Sequence, residues 1–332
     1  MSSSDPPDAQ RQTRPVVEEV RALVRDGGLL SGERSVIVML SGGRDSVCLL
    51  DVCVTLCAVQ RLTALHVNYG LREQAREEER YCEQLCERYD VALQVVRAPQ
   101  APAGNLQAWA RKLRYDAAER AARARGGVYA TGHTATDQVE TILYRLAASP
   151  GRRALLGMPA REEPLIRPLL GVTREQTAAY CDALGLRWYD DESNDSDRYA
   201  RGRVRRGLLP ALQAIHPAAL SSVLRTAQLL REETELLEGL VERELDGRQT
   251  ISIERLRSLP TALARLVVVR LAEDAARDFV PQAGGRVKEI LELADRGRRS
   301  QLHIGGLVSA VVEEGALRMV KIEPHYPSSR DH

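Results

Sequence analysis

The stretch Ser35-Val36-Ile37-Val38-Met39-Leu40-Ser41-Gly42-Gly43-Arg44-Asp45-Ser46 decides the fold. Its first half is a short continuous apolar run, the pattern of a parallel strand buried on both faces. Its second half is a glycine-rich loop, and Val47 to Ala58 continues as an apolar helix. Strand, tight loop and helix in that order make a phosphate cradle. The two glycines tolerate positive φ and leave no Cβ to block an anion. Backbone N–H groups converge at the helix N-terminus, where the dipole favours negative charge. Ser41 and Ser46 add hydroxyl donors, so Ser41, Gly42, Gly43, Arg44, Asp45 and Ser46 are all candidate nucleotide contacts. Asp45 cannot itself attract phosphate, and its expected use is to hold Mg²⁺ against a pyrophosphate. The Gly-Lys-Ser/Thr ending of a Walker A loop is missing, which argues against an ordinary γ-phosphate-hydrolysing NTPase.

Outward from this loop the chain alternates. A helix is expected over residues 16–27, a second strand over Leu62–Val67 and a charged helix over Glu73–Tyr89. A third strand follows over Ala92–Arg97, a helix over Asn105–Arg125, a fourth strand over Gly127–Gly132 and a helix over Asp137–Ala147. Such alternation predicts an α/β fold, a parallel sheet with helices on both faces. Ligands of such sheets sit at the carboxyl ends of the strands. After Pro210 the texture changes. Ala211–Leu245 and Arg255–Phe279 are helix-forming, the latter broken at Pro260, and Gly305-Gly306 joins strand-like pieces at Ser300–Ile304 and Ala316–Ile322. The predicted organisation is a disordered tail over 1–15, a catalytic domain over 16–212, a smaller mainly helical domain over 213–323 and a tail over 324–332.

Apolar residues make up 44% of the 332, ordinary for a globular chain. The net charge of +1 does not advertise a nucleic-acid binder, but a neutral total can hide a local patch. None of the six cysteines forms a C-x-x-C pair, so zinc-ribbon and iron–sulfur spacings are missing. They are expected as small buried hydrophobes in a reducing cytosol. No apolar run approaches the ~20 residues that span a membrane. Met1 to Gln12 is polar and lacks a hydrophobic signal core, so a cytoplasmic location is expected.

Four further motifs follow in order. His66-Val67-Asn68-Tyr69-Gly70-Leu71-Arg72 ends the second strand. Asn105-Leu106-Gln107-Ala108-Trp109-Ala110-Arg111 runs on to Arg114-Tyr115, with Arg111 and Arg114 on one helix face at i,i+3. Gly132-His133-Thr134-Ala135-Thr136-Asp137-Gln138-Val139-Glu140-Thr141 lies at a strand end and puts Asp137 and Glu140 on one face. Tyr199-Ala200-Arg201-Gly202-Arg203-Val204-Arg205-Arg206 carries, with Arg198, the basic cluster that the net charge conceals, and it suits RNA phosphates.

Ser41 to Ser46 resembles the PP-loop of the adenine-nucleotide α-hydrolase-like superfamily, whose members cleave ATP between the α and β phosphates. The later motifs, with Arg167-Pro168-Leu169-Leu170 and Arg187-Trp188-Tyr189-Asp190-Asp191-Glu192-Ser193-Asn194-Asp195, are similar to those of the tRNA(Ile)-lysidine synthetase family. Tyr69 stands where that family has a second His, Thr136 where it has an Asp, and Gly202 where it usually has Asn. The resemblance covers residues 35–210 and more loosely the helical part, and the chain looks like a short form of the family.

The resemblance implies a ligase. ATP adenylates the C2 oxygen of the wobble cytidine of a tRNA(Ile) with a CAU anticodon, and the ε-amine of L-lysine displaces AMP. It implies Asp45, Asp137 and Arg205 as catalytic residues. His66, Arg111, Arg114 and His133 join the 41–46 loop as ATP contacts. Asp137 and Glu140 would bind lysine, and Arg201, Arg205 and Arg206 the tRNA, with ATP as substrate and Mg²⁺ as cofactor. Two alternatives share the fold: a tRNA thiolase, and an AMP-forming small-molecule synthetase. A homodimer is left open.

Overall fold

The computed structural model describes residues 9–70, 75–100, 102, 104–149, 151–189, 200–295, 299–305 and 307–322, side chains 9–14, 200 and 201 excepted. The chain divides into two compact units, Met1–Gln228 and Leu229–His332. The first contains α1 (Ala9–Asp26), β1 (Val36–Met39), α2 (Arg44–Leu56), β2 (Leu62–Asn68), α3 (Ala75–Arg88), β3 (Ala92–Arg97), α4 (Leu106–Ala124), β4 (Val128–Ala130) and α5 (Ala135–Ala148). It continues with α6 (Arg152–Leu155), β5 (Arg161–Glu162), β6 (Leu165–Ile166), α7 (Arg174–Ala183), α8 (Ala200–Arg203), α9 (Leu209–Ile215) and the start of α10 (Ala219–Leu245).

The six strands form one sheet in the order β3-β2-β1-β4-β6-β5. All neighbours are parallel except the edge pair β5 and β6. Every residue of β1 is buried because both sheet faces are covered. Val36, Val38 and Leu40 face α1, α2, α3 and α7, while Ile37 and Met39 face α4. The α4 side is built from Ala117, Ala118, Ala121 and Ala122, small residues that let the helix close on the sheet. A buried carboxylate ties the opposite layer. Asp51 of α2 accepts hydrogen bonds from Tyr180 of α7, from Tyr89 at 2.6 Å and from Arg21 of α1 at 3.3 Å.

The chain runs outward through β1, β2 and β3, then returns across the sheet to β4. The order therefore reverses between β1 and β4, and the crevice beyond their carboxyl ends is the binding position for such sheets. Both motif loops, 41–46 and 131–137, leave the sheet there.

The second unit holds the end of α10, then β7 (Thr250–Ser252), α11 (Ile253–Ser258), α12 (Thr261–Ala276), α13 (Val287–Ala294), β8 (Ser300–Gly305), β9 (Val308–Glu313) and β10 (Ala316–Lys321). Its four strands pair antiparallel in the order β7-β10-β9-β8. Val267, Val268 and Leu271 of α12, Ile290 of α13 and Val308, Ala310 and Leu317 of the sheet share its core.

Several boundaries differ from the sequence expectation. α2 starts at Arg44, so Arg44, Asp45 and Ser46 form the first helical turn rather than a loop. α1 starts at Ala9 and takes in part of the expected tail. The continuous helix expected over 211–245 is broken. His216 takes an extended conformation (φ −150°, ψ 125°) because Pro217 disfavours the helical region for the residue before it. Gly305 ends β8 and leads to β9, not to the strand at Ala316, so two strands, β7 and β9, join the two foreseen.

Gly127 holds the amino ends of β1 and β4 together: a Cβ there would lie 2.2 Å from the Ser35 carbonyl oxygen, which accepts the Val128 N–H at 2.9 Å. Gly127→Ala is predicted to destabilise the fold by about 3 kcal/mol. Denaturant unfolding measures this, and a wild-type midpoint would contradict the close approach.

Candidate active site

The phosphate loop is braced from within. Gly42 has φ +83°, whereas Gly43 is extended as the N-cap of α2. Only the first glycine thus uses positive φ. The Ser46 hydroxyl donates to the Gly43 carbonyl at 2.7 Å and accepts the Ser41 N–H at 3.1 Å, while Ser41 Oγ accepts the Gly43 N–H at 3.3 Å. Both serines, expected as phosphate donors, also shape the loop. The α2 N-terminus has no side-chain cap, the condition under which an anion can take that place. Tyr189 lies against the loop, its N–H donating to the Gly42 carbonyl at 3.0 Å and its ring packed edge-on to Tyr81. Asp190 to Asp195 lie outside the described residues.

The second motif comes directly alongside. A Cβ on Gly132 would lie 3.0 Å from the backbone carbon and oxygen of Asp45. Beyond it Thr134 caps α5: Asp137 Oδ2 accepts from the Thr134 N–H at 2.9 Å and its hydroxyl at 2.8 Å. Only Oδ1 of Asp137 is left to face the site, and Arg205 (3.6 Å) and Arg174 (3.9 Å) stand opposite it. Burial pushes the Asp137 pKa up, but the Arg174 charge, the Thr134 hydrogen bonds and His133 outweigh it and hold the carboxyl below its ordinary value. Glu140, nearly fully buried, takes a two-pronged contact from Arg205 at 2.5 and 2.9 Å. Arg205 itself lies in a short π-helix, Val204–Leu208, a conformation that recurs at functional sites.

Asp45 is equally engaged. Its Oδ1 accepts from the Thr177 hydroxyl at 2.6 Å and Arg44 Nε at 3.2 Å, and its Oδ2 lies 3.6 Å from Arg174 Nε. Three helix N-termini therefore meet at the switch point, contributing Asp45 from α2, Asp137 from α5 and Arg174 with Thr177 from α7. Sequence reasoning missed Arg174 and Thr177. The signal was the Thr-x-x-Gln box, Thr173 to Gln176, which caps α7 and sets Arg174 in its first turn.

The remaining candidates divide. His66 is 3% exposed and its Nδ1–H donates to the Leu40 carbonyl at 2.9 Å, so it braces the strand just before the loop rather than lining its mouth. Burial pushes its pKa down. Arg111 and Arg114 both stack near the Tyr115 ring, 4.6 and 5.9 Å from its centroid. They share the neighbourhood of His133, whose Nδ1 is hydrogen-bonded to the Thr131 hydroxyl at 2.7 Å. Burial first, then the charges of Arg167, Arg111 and Arg114, push the His133 pKa down to about 4 against the opposing pull of Asp137. Arg206 is exposed, and the Arg201 side chain, Arg198, Tyr199, Leu71 and Arg72 lie outside what is described. Among the described residues no cluster of three or more His, Cys, Asp or Glu forms a metal cage. A single carboxylate beside a phosphate cradle fits a Mg²⁺ that arrives with nucleotide phosphates.

Two departures from the family pattern have structural explanations. Tyr69 donates to the Ala110 carbonyl at 3.1 Å and packs edge-on to Trp109, fastening its loop to α4. The Thr136 hydroxyl accepts the Arg174 N–H at 3.2 Å, fastening α7 to α5.

Because His133 is held neutral in the fold, acid should weaken the protein. Its folded pKa of about 4 lies below the ordinary 6.5, so the unfolded chain binds the extra proton first. Stability attributable to this residue is intact above pH 6.5 and falls as pH drops toward 4. The melting temperature of wild type should drop more steeply than that of His133→Gln across this window. Parallel curves would contradict the desolvated imidazole.

Residues 12–212 match the PP-loop domain family. The chain is 38% identical over 215 residues to a tRNA(Ile)-lysidine synthase of Pseudomonas fluorescens, covering 63% of this chain and 48% of that one. With a tRNA(Ile)-lysidine synthase of Symbiobacterium thermophilum it shares 34% identity over 338 residues, 93% of this chain and 70% of that one. The chain spans about half the length of several curated relatives it matches. A solved U34-tRNA thiolase of Methanococcus maripaludis superposes with a TM-score of 0.56 at 19% identity, over 66% of this chain and 80% of that one, a likeness of fold alone. With the loop, the capped carboxylate and the order of motifs already in place, these matches identify the family: the chain belongs to the PP-loop domain family and, within it, to the tRNA(Ile)-lysidine synthases.

Proposed function

We propose that the protein is a cytoplasmic ATP-dependent ligase that joins L-lysine to C2 of the wobble cytidine of a tRNA(Ile) with a CAU anticodon. The observation that carries this reading is the meeting of an uncapped phosphate loop with a pair of carboxylates, Asp137 and Glu140, at one switch point. One half suits a departing pyrophosphate, the other a diamine. In the first step the C2 oxygen attacks the α-phosphorus of ATP and pyrophosphate leaves. In the second the ε-amine of lysine attacks C2 and AMP leaves with that oxygen.

The residues divide the work. The backbone of Gly42 and Gly43 and the first amides of α2 would hold the pyrophosphate, with Arg111 and Arg114 facing it from α4. Mg²⁺ carried with the nucleotide would neutralise developing phosphate charge, with Asp45 as its protein ligand. Asp137, kept ionised by its neighbours, suits the seat of a lysine ammonium. Glu140 completes that seat when Arg205 turns from it toward the RNA, and Arg201 and Arg206 would meet the RNA backbone. His66 would act through the loop it braces, and His133, neutral, as a hydrogen-bonding contact for the nucleotide.

A thiolase reading finds less support. All six cysteines are buried, and burial pushes the thiols of Cys53, Cys82 and Cys86 up, away from the thiolate a sulfur carrier needs. Among the described residues no single helix is long and apolar enough to cross a membrane.

Incubation with ATP, Mg²⁺, labelled lysine and bulk bacterial tRNA should move label into RNA, and Asp45→Ala and Asp137→Ala should each lower that rate by about a thousandfold or more. AMP release without lysine incorporation would overturn the ligase reading. Full activity in either variant would remove that residue from the site.

A further inference from the structure

The first turn of α7 carries two side chains for which the proposed reaction has no use. Thr177 spends its hydroxyl on Asp45 at 2.6 Å. Arg174 lies across the gap between the two first-turn carboxylates, with Nε 3.6 Å from Asp45 Oδ2 and a terminal nitrogen 3.9 Å from Asp137 Oδ1. These are charge contacts, too long for good hydrogen bonds. Arg174 Nε is buried and has no hydrogen-bond partner, so a dehydrated N–H stands inside the site with its donor direction unfilled. Its backbone, by contrast, is fixed. The Arg174 N–H donates to Thr136, the Thr173 cap sets the turn, and Tyr180 ties the same helix to Asp51 of α2. The guanidinium is thus delivered by a rigid helix to a place where its own bonding is incomplete.

The phosphate loop has an electrostatic difficulty that this placement resolves. Asp45 stands in the first turn of α2, where a triphosphate must dock, and an ionised carboxylate there repels a polyanion. Arg44 covers Oδ1 of Asp45, and Arg174 covers Oδ2. We propose that Arg174 is a positioning residue that neutralises Asp45 while no metal holds it, so that the nucleotide phosphates can settle on the loop before the Mg²⁺ they carry takes the carboxylate over. Its second contact keeps Asp137 turned toward the same charge. The inference rests on the nucleotide reading of residues 41–46, but not on which base or amine is later joined.

Equilibrium binding of ATP to the full chain, without tRNA or lysine, tests it by calorimetry in EDTA and at saturating Mg²⁺. Arg174→Met should weaken metal-free binding by about tenfold or more, and Mg²⁺ should bring it back to within about threefold of wild type. Arg174→Lys, which keeps the charge, should stay within about threefold of wild type in both conditions. In an Asp45→Asn background, removing Arg174 should no longer steepen the metal dependence. Equal losses with and without Mg²⁺, or no loss at all, would overturn the proposal, since a merely structural role does not discriminate between the two conditions. Should the Met variant fail to fold, Arg174→Gln carries the same expectation. If wild type binds no ATP in either condition, the nucleotide reading falls, and this inference with it.

Discussion

The carboxylate of Asp45 receives the hydroxyl of Thr177 and the charges of Arg44 and Arg174, and so draws α7 onto the first turn of α2. Through Arg174 the same contact reaches Asp137 at the start of α5. Much of the local architecture follows from having to hold this charge in place. Gly132 lacks a side chain because the Asp45 backbone passes 3.0 Å from where its Cβ would be. Asp51 anchors α2, α7 and α1 on the far side of the phosphate turn. The sheet supplies the convergence, since reversal of strand order between β1 and β4 opens the crevice into which these helix starts point.

The charges in the crevice are balanced without ligand. Glu140 is closed by Arg205, and Asp137 faces Arg205 and Arg174. A buried carboxylate left unpaired costs several kcal/mol, about 3–5 when one partner is removed, so the guanidiniums are required for stability while the site is empty. On the proposed reading, binding would amount to exchange: an incoming ammonium would replace a guanidinium at a carboxylate, and an incoming phosphate would take up the guanidinium released. Little net charge need be desolvated in such an exchange. The π-helix around Arg205 is in keeping with this, because such turns recur at functional sites.

The sheet, its parallel sense and the phosphate loop were legible in the sequence because each is written locally. Val36 to Met39 is apolar throughout, and the glycines sit between a strand and a helix. The motif at 132–141 was legible as a strand end carrying acids. What the sequence concealed is long-range. Thr177 meets Asp45 across 132 positions, and no periodicity records that. The bracing roles of Ser41 and Ser46 were not legible, because a serine that braces a loop and one that meets a phosphate look the same in sequence. The brace that His66 makes to Leu40 was hidden for the same reason, since its strand-end position fits either a ligand contact or a brace. In the second unit β9 was missed. Its apolar run, Val308 to Val312, follows too closely on β8 to separate from the glycine turn without the pairing that defines it.

The central claim is that the nucleotide is spent on activating a base oxygen. The most direct measurement uses RNA carrying a heavy-oxygen label at C2 of the wobble cytidine, with ATP, Mg²⁺ and lysine, followed by mass analysis of the AMP released. The label is predicted to move from the base to the AMP phosphate, because the activated oxygen leaves with it. Unlabelled AMP, formed while lysine enters the RNA, would contradict adenylation of the base and, with it, the phosphate loop's part in that step.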